Sequence, residues 1–86
     1  MKTIDLTHIT FRPSLIGPEV TQDLHVEIAE AIYQNATTLA EHSLALRLYE
    51  KGGEPVEVSD DDVKVIRKAI APFRYCAQEA INKAIE

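Results

Sequence analysis

Val63, Ile66, Ile70, Phe73, Ala77, Ala80 and Ala84 follow one another at alternating steps of three and four residues. Such steps keep side chains on one face of a helix, so the spacing predicts a third, long helix whose apolar seam must find cover. Pro72 lies inside this seam. Proline lacks a backbone donor, and its ring clashes with the carbonyl four residues back, here that of Lys68, so a kink or a break is expected. The phase is kept across Pro72, and both halves therefore face one side, as one bent helix or as two abutting ones. Ser59 stands where an N-cap is needed, and Asp60, Asp61 and Asp62 fill the first turn, where the helix dipole favours negative charge.

Upstream, residues 2–12 are rich in β-branched residues and alternate in polarity, which predicts extended chain. Ile4 and Leu6 share one phase, and Ile9 and Phe11 the other. A flat strand of period two cannot turn all four to one face, so either a bulge near Thr7–His8 resets the phase or both faces are partly covered, and the bulge is favoured. Pro13, Gly17 and Pro18 then mark a loop, with Leu15 and Ile16 as plugs or as a second short strand. Thr21 reads as the N-cap of a first helix over about 22–35, with Asp23 at its positive end and Leu24, Ile28, Ala31 and Ile32 forming its apolar stripe. Thr38 and Glu41 read as a capping box opening a second helix that runs to about Glu50 and stops at Gly52-Gly53. Leu39, Leu46 and Tyr49 lie on one side of it and Ala40, Leu44 and Leu48 roughly opposite, so this helix is expected to be sandwiched at the centre. His42 falls beside Leu39 and Tyr49, the position of a partly buried neutral histidine. Pro55-Val56-Glu57-Val58 is long enough for one edge strand able to pair with the amino-terminal one.

The order of elements predicts one domain over residues 1–86 of the α+β class: a small antiparallel sheet, made of an amino-terminal strand or hairpin and the short strand near 55–58, packed on three helices, the last bent at Pro72. The hydrophobic fraction of 45% is ordinary, but only 6% of the residues are aromatic, so the core must be aliphatic with a few ring anchors.

A net charge of −5 argues against bulk electrostatic binding to nucleic acid or to an anionic membrane. No long apolar run and no basic-then-apolar amino terminus occurs, so neither a signal peptide nor a membrane span is expected. Cys76 is the single cysteine, which rules out an internal disulfide and a CxxC site and makes a reducing cytoplasm the expected location.

Residues able to carry chemistry are few. His8, His25, His42 and Cys76 could nominally ligate a metal, yet no two of them stand at the spacing that places ligands on one helical face. The Asp60–Asp62 run lacks the alternating acids and the turn glycine of a calcium loop. Ser43 and Cys76 have no motif of base and orienting group, and Gly52-Gly53 lacks the residues of a phosphate loop. The expectation is a non-enzymatic protein without catalytic residues, cofactor, metal or small-molecule ligand.

Two interaction surfaces remain. A domain this small can hide only part of so long a helix, so the seam is expected to meet a protein partner, including a second copy in a homodimer, through Ile70, Phe73, Ala77, Ile81 and Ile85. The bland alternative is that the first two helices cover the seam in full. Separately, Lys64, Arg67, Lys68 and Arg74 project within about 120° of one another and make a basic stripe able to follow a phosphate backbone, the signature of a nucleic-acid-associated regulator. A solvated helix face has the same appearance.

The run from Leu39 to Ile70, in which Leu-Tyr-Glu-Lys-Gly-Gly is followed by Glu-Pro-Val-Glu-Val-Ser-Asp-Asp-Asp-Val-Lys-Val-Ile, resembles small uncharacterised proteins of bacteriophages and prophages. Those proteins are similar in having a β-rich amino-terminal segment like Thr3–Phe11, a helix pair and an acidic-capped last helix. The resemblance implies a phage or mobile-element context and no particular activity; Pro72 and the alanine-rich tail have no counterpart in it.

Overall fold

The computed structural model describes residues 2–86. Its elements run β1 (Lys2–Ile4), β2 (Ile9–Phe11), β3 (Val20–Gln22), α1 (His25–Asn35), α2 (Leu39–Lys51), β4 (Val56–Val58), α3 (Asp60–Ala69) and α4 (Tyr75–Ile85). The class is α+β, with four helices and two small antiparallel sheets.

The amino-terminal extended segment pairs with the 56–58 strand: Lys2 lies opposite Val58 and Ile4 opposite Val56. The change of phase downstream of Ile4 is accomplished by a turn, not by a bulge. The Asp5 carboxylate accepts the Thr7 N–H at 2.9 Å and the Thr7 hydroxyl, curling the chain between β1 and β2. Ile4, Leu6 and Ile9 can then all point inward. β2 turns away from β1 and forms a separate hairpin with β3, in which Phe11 faces Val20 and the Thr10 and Thr21 hydroxyls hydrogen-bond at 2.8 Å.

That hairpin corrects the expected start of the first helix. Thr21 is a strand residue, because two β-branched residues at 20 and 21 find a partner strand across the hairpin. α1 begins at His25, and the carboxylate of Asp23 accepts the His25 N–H at 3.0 Å in place of a cap at Thr21.

α2 starts as expected. The Thr38 hydroxyl accepts the Glu41 N–H at 3.2 Å and donates to the Glu41 carboxylate at 3.0 Å. Its end has a different cause from the one glycine usually supplies. Gly52 sits in ordinary right-handed backbone (φ −69°), so no left-handed turn is needed. A side chain there would lie 2.7–2.8 Å from carbons of His25, so Gly52 lets the end of α2 come against the start of α1. α2 itself is not sandwiched. Leu44, Ala45 and Leu48 are buried, whereas Leu39, Leu46 and Tyr49 are exposed, as is Ala40. The central helix is α1, which packs on both α2 and α3.

The residues of the long seam form two helices. Pro72 closes α3: Ala71 and Phe73 donate backbone hydrogen bonds to Lys68 and Ile70, making a turn that carries the chain into α4. α3 has a complete capping box, with the Ser59 hydroxyl taking the Asp62 N–H at 3.1 Å and the Asp62 carboxylate taking the Ser59 N–H at 3.0 Å. Gln78 of α4 reaches back to the carbonyls of Ala71 and Phe73, and Lys2 of β1 donates to the carbonyl of Ile85 at 2.8 Å, satisfying the end of α4. One continuous core results, running from Ile4 through Ile28, Leu48 and Ile66 to Ile81 and Ile85.

Candidate functional site: the aromatic-edged face of the central helix

The core contains only isoleucine, leucine, valine and alanine. Phe11, Tyr33, Tyr49, Phe73 and Tyr75 all lie outside it, half-buried or exposed. Large rings normally gain most by complete burial, and where they are left at the surface they mark places at which other molecules bind. Four of the five converge on the outward side of α1.

On one flank of α1 is a groove of about 690 Å³, bounded by the β2–β3 hairpin and by the turn at Pro72. Phe11, Leu24, Ala31, Phe73 and Ala77 give it an apolar lining; Gln22, Glu27, Glu30 and Gln34 edge it with polar groups. Two anchors set its walls. Arg74 donates to the carbonyl of Pro13 at 3.0 Å, clasping the hairpin to the start of α4, and the β2 strand packs on α4. On the other flank lies a smaller hollow of about 260 Å³, lined by Ala29, Ala45, Tyr33, Leu46 and Tyr49. His42 packs tilted against Tyr33 with ring centres 5.1 Å apart, which accounts for its half-buried position. Glu30 lies between the two hollows and lines both.

The charged groups of this face are Glu27, Glu30 and Arg74. Glu27 and Glu30 join no ion pair among the described residues, and Glu30 takes only a hydrogen bond from Gln34 at 2.8 Å. Just before α1, the Asp23 carboxyl is held below its ordinary value by the His25 ring, which hydrogen-bonds to it, and by the His25 backbone N–H. The Asp62 carboxyl, in the first turn of α3, is raised by partial burial but carried lower overall by the Ser59 backbone and by Arg47 at 2.9 Å.

The residues expected to meet a partner are placed elsewhere. Ile70, Ile81 and Ile85 are fully buried in their own core and Ala77 is 9% exposed, leaving only Phe73 partly open. The break at Pro72 is the reason: a straight seam would outrun the body, but two short helices turn their apolar sides inward and the β strands and α1 cover them. Their burial leaves that seam little open surface to offer a partner. Phe73 keeps a place in the site, because it sits at the turn and faces the groove.

The expected basic stripe is also divided. Lys64, Arg67 and Lys68 lie on α3, but Arg74 follows the break and is engaged with Pro13. Arg67 in turn donates to the Asn82 side chain at 3.3 Å. Arg74 is thus set apart from the other three by the helix break. His8 is exposed beside Asp5 and Thr7, His25 lies under Gly52, and Cys76 is half-buried in α4. No group of three or more potential metal ligands comes together among the described residues. No helix among them is long and apolar enough to cross a membrane.

Reading the sequence alone misses Glu27, Glu30, Gln34 and Leu24 as groove residues. One signal for the site was present: Tyr33 and Tyr49 fall off the apolar stripe of the first helix and the buried side of the second, respectively. Compared with known proteins, the chain matches no family model, no curated protein and no solved structure.

Proposed function

We propose that this is a non-enzymatic, cytoplasmic protein-interaction module that receives a protein partner on the outward face of α1. One observation carries the reading: an aliphatic core from which every aromatic ring is left out, with Phe11 and Phe73 lining one hollow beside α1 and Tyr33 and Tyr49 edging the other. Rings of this kind give large contact area at low entropic cost, and a central cluster of them is the usual seat of binding energy in protein interfaces. An origin in a phage or prophage is proposed from the sequence resemblance.

A photo-crosslinking residue placed at Gln34, on the lip of the groove, tests the reading in cells making the protein at its native level. A discrete protein adduct is expected from position 34 and none from the same residue at Lys64 on α3. Equal adducts from both positions, or none from either, would overturn it.

A further inference from the structure

We draw no further inference here: the strongest candidate, the apolar groove between α1, the β2–β3 hairpin and the turn at Pro72, belongs to the face already described, and nothing in the structure shows what covers it.

Discussion

Two rows of residues in this molecule have the same spacing and opposite fates. Val63, Ile66, Ile70, Phe73 and Ala77 run along α3 and the start of α4 at steps of three and four, and all but half-buried Phe73 are buried. Leu39, His42, Leu46 and Tyr49 run along α2 at steps of three, four and three, and Leu39 and Tyr49 stand 80% and 61% exposed. Periodicity states which residues share a face. It is silent on whether that face meets another element, because cover depends on segments distant in sequence. Here the cover for the first row comes from α1 and β4 over α3 and from β2 over α4, while the second row meets α1 only along its rim, at Tyr33 and the hollow beside Ala29.

The contrast can be broken most forcefully at its buried end. Ile81→Ala removes a fully buried side chain from a close-packed core and should cost about 2–5 kcal/mol. A chain of this length has roughly 4–13 kcal/mol in all, so urea unfolding should show a large drop in midpoint. An unchanged midpoint would mean that the seam is not covered as described. Next in size is Gly52→Ala, where the added methyl meets the Leu48 carbonyl oxygen and His25; a loss of about 1–3 kcal/mol is expected by the same measurement.

A smaller effect is expected at the cap of α3. Ser59→Ala removes the hydroxyl that takes the Asp62 N–H and should cost about 1 kcal/mol. Acid sharpens the same point. The folded-state carboxyls of Asp62 and Asp23 lie below their ordinary value, so the stability they supply is complete above about pH 4 and is lost as the pH falls through the lowered values. The urea midpoint should therefore fall on acidification in that range, and by less in Asp62→Asn than in the native chain. The smallest change is expected at the exposed row: Leu46→Ser should shift stability by no more than about 0.5 kcal/mol. A loss as large as that of Ile81→Ala would show that α2 is covered after all.

Much of the local structure was legible. Thr38 with Glu41, and Ser59 with its three aspartates, mark helix starts because capping is a matter of four consecutive residues. The pairing of the amino-terminal segment with 56–58 was legible too, since few extended segments compete for it. The hairpin partner at Val20–Gln22 was hidden, because Thr21 serves equally as a cap and as a strand residue, and only the neighbouring β2 decides between them. The candidate site was less legible than the fold. Phe73 was singled out as a member of the long apolar seam, not for its place at the break, and its neighbours Phe11, Leu24 and Glu30 come from three separate segments whose meeting no local pattern announces.

By itself the sequence determined the α+β class, the caps, the interruption at Pro72 and an aliphatic interior, all of which follow from residue type and short-range spacing. Tertiary structure alone decided that the seam would be sheltered, that α1 and not α2 would be central, and that four of the five aromatic rings would gather beside α1. Burial is a property of pairs of surfaces. It is fixed only when the chain has turned back on itself and each face has met, or failed to meet, its cover.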